Sequence, residues 1–171
     1  MSESHAVQFY NDDVFLIDAV YAFIKTGFEE GATIIVVATE KHREELCNAF
    51  QGRGVHGTED KVVYLDAPEL LSAFMVDDWP NQTRFDATVG RMVQQAALSG
   101  PVRIFGEMVS VLWAEGKTRA AIRLEVLWNE LATRHAFSLL CAYPMSGFPN
   151  QKEDLSFLRV CHTHSHVHPP E

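Results

Sequence analysis

The sequence predicts a three-layer α/β fold: a mostly parallel sheet of about five strands with helices on both faces. Three observations lead there. Short apolar runs alternate with longer stretches whose apolar residues return at helical spacing. One run, Ala32 to Ala38 (ATIIVVA), is apolar almost without a break, as a strand covered on both faces should be. The alternation is regular, and strand–helix–strand units of this kind build parallel sheets through crossovers.

In chain order, His5 to Tyr10 reads as the first strand, and Asn11-Asp12-Asp13 supplies N-cap chemistry for a helix carrying Leu16, Ala19, Val20, Phe23 and Ile24. Gly27 and Gly31 are expected to close that helix. After Ala32 to Ala38, Thr39 caps a helix with Leu46, Cys47 and Phe50, ending at Gly52. Lys61 to Leu65 is the third strand. Asp66-Ala-Pro-Glu69 then starts a helix, with Pro in the first turn and Glu where a capping box places it. A polar break from Asp77 to Thr83 precedes a helix carrying Phe85, Val89, Met92, Val93 and Ala96. Pro101 to Phe105 is the fourth strand. Helices over Met108 to Glu115 and Lys117 to Arg134 meet at Gly116, and Phe137 to Tyr143 (FSLLCAY) is the fifth strand. A loop, a short helix around Asp154 to Cys161 and a polar tail complete the chain.

A length of 171 residues suits one domain with its own core. The expected core spans about 5–147, with the helix and tail over about 148–171. A formal charge of −9, with no Lys/Arg cluster, excludes direct nucleic-acid binding and anionic membranes. Charge interrupts every apolar stretch before the ~20 residues of a bilayer span, and MSESHAVQFYNDD is not a signal peptide. Cys47, Cys141 and Cys161 are odd in number and widely spaced, as buried thiols in a reducing cytoplasm would be.

Two nucleotide-binding look-alikes fail on context. Gly52-Arg-Gly54-Val-His-Gly57 matches GxGxxG, but a helix precedes it and a strand follows, the reverse of the dinucleotide fingerprint. Gly116-Lys117-Thr118 resembles the end of a phosphate loop, yet Val111 stands where the first glycine is needed, and helices flank it.

Open parallel sheets bind ligands beyond the carboxyl ends of their strands. The polar residues expected there are Tyr10, Asn11, Asp12, Thr39, Glu40, Asp66, Glu107 and Tyr143. Asn11, Asp12, Thr39 and Asp66 have an ordinary explanation as caps. Glu107, between Ile104-Phe105-Gly106 and Met108-Val109, needs a partner in an apolar setting. It reads equally as a first-turn carboxylate stabilised by its own helix dipole. On the long helix, Glu125 lies on the shoulder of the stripe Leu124, Leu127, Trp128 and Leu131, with Asn129 one turn on. This Glu/Asn pair beside a Trp suits either a ligand or a structural hydrogen bond.

The tail, Cys161-His162-Thr-His164-Ser-His166-Val-His168, alternates four of the eight histidines. Extended, they would share one face; helical, they would pair at i, i+4. Either way His162, His164, His166 and His168 are candidate ligands for a divalent metal such as zinc, with Cys161 nearby.

Several motifs in order resemble the MEDS family, the methanogen/methylotroph DcmR-type sensory domains. They are His5-Ala-Val-Gln-Phe-Tyr with Asp12-Asp13, Arg103-Ile-Phe-Gly-Glu107-Met, Leu112-Trp-Ala-Glu-Gly116, Ala121-Ile-Arg-Leu-Glu125, Leu127-Trp-Asn129-Glu-Leu131, Leu139-Leu-Cys-Ala-Tyr143-Pro and the closing His164-Ser-His166-Val. The resemblance spans residues 5–168. It implies a fold related to RecA/KaiC-type ATPase domains without their phosphate loop, and the sensing of small, hydrocarbon-like compounds. Family members stand alone or attached to histidine kinases or DNA-binding segments. No output segment is visible in this chain, so the signal is expected to pass to a separate partner such as a histidine kinase or transcription regulator, unless the chain is a piece of a longer protein.

The resulting expectation is a non-enzymatic sensing domain with a pocket at the carboxyl edge of the sheet. Glu107, Glu125 and Asn129 would supply its polar contacts, and Trp113, Trp128 and Tyr143 its walls. Tyr10, His5, His164 and His166 would complete it as the tail folds back. Two alternatives remain: a metal-dependent hydrolase using tail histidines and Glu107, and a protein-binding module, monomeric or homodimeric.

Overall fold

The computed structural model describes residues 4–55, 61–149 and 155–171. It contains a six-stranded, wholly parallel sheet between two helical layers. The order across the sheet is β3 (Val62–Asp66), β2 (Thr33–Ala38), β6 (Val102–Gly106), β7 (Ser138–Pro144), β1 (His5–Tyr10) and β8 (His166–His168). The strand expected over Ala32 to Ala38 is β2, and it pairs on both sides, with β3 and β6.

Strand alternation sorts side chains between two cores. Ala6, Ile34, Val36, Phe105, Leu140 and Ala142 face α1 (Asp13–Glu29) and α2 (Glu40–Gly52). Val7, Phe9, Ile35, Val37, Ile104, Leu139, Cys141 and Tyr143 face the other layer. That layer holds α3 (Ala67–Phe74), α5 (Arg91–Ala97), α6 (Met108–Ala114), α7 (Thr118–Ala132) and α8 (Leu155–Thr163). Its buried aromatics include Trp128, Phe74 and Phe85, with Phe85 edge-on to both Phe74 and Trp128. Each such side chain contributes roughly 1.5–3 kcal/mol by burial.

The caps form largely as the sequence indicates. Asp12 accepts from the Phe15 N–H (2.9 Å) and Asp66 from the Glu69 N–H (3.0 Å), while Thr39 caps α2. Asn11 caps nothing and lies exposed before α1. Gly116 adopts φ +77°, separating α6 from α7, and Lys117 beside it pairs with Asp78 and Glu115 and holds no phosphate loop.

Several elements differ from expectation. The sheet gains a sixth strand because the tail returns beside β1, with Ala6 opposite His166 and Gln8 opposite His168. Gly27 does not end α1; it lies inside the helix, where a Cβ would come within 2.3 Å of Ile34 Cδ1. The polar break holds a small hairpin, β4 (Met75–Val76) and β5 (Trp79–Pro80), turned through Asp77 and Asp78 at positive φ. The helix expected around Phe85 to Ala96 is split by a π-helical turn, Asp86–Gly90, between α4 (Gln82–Phe85) and α5. The end of the glycine-rich stretch Gly52 to Gly57 and the start of the helix expected from Asp154 lie outside the described residues.

Candidate functional site

The polar candidates separate into two centres, one at the carboxyl edge and one inside the α6–α8 layer. The first is built on Glu107, which directly follows β6 and is 1% exposed. Its carboxylate does not serve its own helix: α6 has no side-chain cap. Instead Oε1 accepts from the Thr39 N–H (2.6 Å), at the start of α2, and Oε2 meets His42 Nδ1 at 2.7 Å. His42 Nε2 lies 3.2 Å from Asp13 Oδ1, and Asp13 also binds Lys41. An imidazole with a carboxylate at each nitrogen is stabilised as the cation. Burial opposes that charge, but Glu107 and Asp13 outweigh it and raise the His42 pKa. Tyr10 stands beside this centre, edge-on to His42, and burial with the Glu107 and Asp13 charges pushes its phenol up.

The second centre gathers residues far apart in sequence. Glu125 projects from α7 into the core, fully buried. Oε2 of Glu125 faces His5 Nε2 at 3.1 Å and also contacts His164 Nε2, and Oε1 accepts from Tyr143 Oη at 3.4 Å. Cys141 Sγ lies 3.4 Å from His5 Nε2. The two imidazole rings are 4.2 Å apart. Burial opposes a charge on Glu125, yet His164 and His5 together hold its carboxyl well below the usual range. Burial likewise works against a charged His5, but its bond to Glu125 outweighs this and raises its pKa. Burial and the Glu125 charge push the Cys141 thiol and the Tyr143 phenol well up.

Asn129 is the hinge between this centre and the tail. Its Nδ2 donates to the Thr163 carbonyl (2.8 Å), which leaves Oδ1 to accept from His5 Nδ1 (2.7 Å). The Ser165 N–H donates to the His5 carbonyl (2.8 Å), and the His5 N–H donates to Ser165 Oγ (3.0 Å). Gln8, buried in β1, donates to the Pro169 carbonyl at 3.0 Å. A cavity of about 270 Å³ opens beside these contacts, lined by Ser4, His5, Trp128, Asn129, Phe137 and Ser165 among others.

The structure therefore brings together His5, Glu125, Asn129, Tyr143 and His164, with Trp128 as a wall of the adjoining cavity. Trp113 sits in a neighbouring aromatic cluster with Tyr143 and Phe148, its Nε1 donating to the Gly147 carbonyl at 2.9 Å. Glu107 and Tyr10 belong to the other centre, so one carboxyl-edge pocket holding both glutamates does not form. The cavity lies instead towards the amino ends of β1 and β7. The tail histidines do not act as a set either: His164 turns inwards, while His162, His166 and His168 are exposed. Members of these centres that went unforeseen include Asp13, His42 and Cys141. For Cys141 a signal existed, because alternation puts it on the same face as Leu139 and Tyr143.

Among curated proteins, none matches the chain. A family profile does, over residues 4–165, nearly the whole sequence and both centres. The chain belongs to the MEDS family, described as the methanogen/methylotroph DcmR sensory domain.

Proposed function

We propose that this sensory domain is a cytoplasmic regulator that binds a small molecule in the cavity beside His5 and Asn129 and reports it through its C-terminal segment. The observation that carries this reading is the double duty of Asn129 and Ser165. Both line the cavity, and both tie residues 163–165 to β1 or α7. A ligand competing for, or reinforcing, those hydrogen bonds has a different affinity for the docked and released tail, which is the requirement for a population shift. Trp128 and Phe137 supply an apolar wall and Asn129 and His5 a polar end, a lining that suits short-chain oxygenated or otherwise polarised hydrocarbon derivatives.

A separate partner, such as a histidine kinase or transcription regulator, would read the tail. Leu155 and Leu158 on α8 and Val167 on β8 are exposed apolar residues on the segment that would move. The free thiols Cys47, Cys141 and Cys161 suit a reducing compartment. Among the described residues, no helix is long and apolar enough to cross a membrane.

The test is amide hydrogen exchange across residues 155–168 during a screen of one- to four-carbon alcohols, aldehydes and acids. At least one class should change tail exchange in the wild type and fail to do so in Asn129→Leu. A screen in which no compound alters exchange or thermal stability would overturn the reading.

A further inference from the structure

The interior centre has a property that a proton network does not explain. His164 Nδ1 faces the Val160 carbonyl at 2.5 Å, and a carbonyl only accepts, so Nδ1 carries the hydrogen. His5 Nδ1 is fixed the same way by Asn129 Oδ1. Both rings therefore turn Nε2 towards Glu125, and any further hydrogen must sit on those nitrogens. Yet His164 Nε2 and Glu125 Oε2, buried and in contact, have no hydrogen-bond partner of acceptable geometry. Two lone pairs converging in a dry interior call for a positive charge between them.

Four ligand atoms surround that point. One ligand atom from each of His5, Glu125, Cys141 and His164 lies within 4.8 Å of the others, and all four side chains are buried there. We infer that His5, Glu125, Cys141 and His164 form a binding site for one divalent transition metal of the zinc class. Two imidazoles, a carboxylate and a thiolate suit a borderline-soft ion and exclude magnesium and calcium, which demand oxygen ligands. The charges close: a dication balances the carboxylate and the thiolate, and both imidazoles stay neutral. On binding, the Cys141 thiol releases its proton to solvent, and the metal replaces any proton shared between Glu125 and the rings. Both rings have the outer partner that ligating histidines usually have, Asn129 for His5 and the Val160 carbonyl for His164. Four protein ligands make a closed, structural type of site rather than a catalytic one with an open position. Because His164 follows α8 while the others come from β1, α7 and β7, the ion fastens the tail to the core.

The other titratable cluster, Asp13, His42 and Glu45, carries no such inference. Both His42 nitrogens already face carboxylates, and Asp13 and Glu45 also pair with Lys41.

The metal inference does not depend on the small-molecule pocket. Chelator-stripped full-length protein is titrated with cobalt(II) and followed by absorption. One equivalent should produce the intense visible bands of tetrahedral cobalt and a near-ultraviolet thiolate-to-cobalt band, both displaced by zinc. Cys141→Ser should lose the near-ultraviolet band, and Cys47→Ser should keep it. Asn129→Leu, which removes the outer partner of His5 together with the bond to the Thr163 carbonyl, should weaken cobalt binding by about 10- to 100-fold. Replacing His166 and His168 together with alanine should change nothing. The inference is overturned if the folded wild type gives no bands. It is also overturned if the bands survive in Cys141→Ser, or disappear only in the His166/His168 variant. If Cys141→Ser does not fold, the Asn129→Leu affinity decides. Cobalt bound with tail exchange unchanged would leave the metal site standing and remove the tail as a read-out.

Discussion

The two glutamates at the polar centres face the same problem, an anion inside an α/β domain, and solve it differently. Glu107 is answered by groups aligned on it: the Thr39 N–H on one oxygen and His42 on the other, with Asp13 balancing the far side of the ring. The result is a closed clamp joining β6 to the first turns of α1 and α2. Glu125 is answered by two rings that converge on one oxygen without filling its hydrogen-bonding capacity. One ring comes from the first strand and the other from the tail, so this centre is complete only while the tail is docked. A saturated network holds structure; an unsaturated one at the junction with the C-terminal segment is suited to responding.

Breaking the interior centre should have the largest effect. Glu125→Ala leaves His5, His164 and Tyr143 buried around a hole, and removing one member of a buried ion pair costs about 3–5 kcal/mol. Urea unfolding should show that loss, while the isosteric Glu125→Gln retains more of the stability. Glu107→Ala should cost about 2–3 kcal/mol by the same measurement, since it removes hydrogen bonds to a charged acceptor at a less enclosed site.

The pH dependence sharpens the contrast. His42 has a raised pKa in the folded state, so the stability it contributes is fully present below its unfolded value of about 6.5 and is lost as pH rises through the folded value. The stability difference between wild type and His42→Gln should therefore shrink from about pH 6.5 upwards. A difference that grew with pH would show that Glu107 and Asp13 do not hold the ring as a cation. The smallest effect is expected from Asp12→Ala, which removes the α1 cap for about 1 kcal/mol and should leave tail exchange untouched.

The layered fold was legible because strand alternation and helical spacing are local signals, and Asp12, Thr39 and Asp66 announce their helices. β8 was not, because three residues of His-Val-His carry no usable period; Ser165, Gln8 and the register with β1 position them. Glu107 and Glu125 were noticeable as carboxylates in apolar surroundings that needed partners. His42 was not readable as the partner of Glu107, since it lies 65 residues away, whereas His5, His164 and Tyr143 were expected in one pocket with Glu125 and do meet it. The rule that sheets bind at their carboxyl ends led towards Glu107, whereas the cavity and the unsaturated centre lie by the start of β1. The tail histidines looked equivalent by spacing, yet α8 ends at Thr163, and His164, the next residue, turns inwards onto the Val160 carbonyl and Glu125.

The most direct test of the account is residue-resolved amide hydrogen exchange on wild type, Glu125→Gln and Glu107→Gln at one pH. Glu125→Gln should speed exchange at residues 163–168 and leave residues 39–43 protected, and Glu107→Gln should do the reverse. Tail protection that survives Glu125→Gln, or falls equally in both variants, would contradict the claim that the interior centre governs docking of the tail.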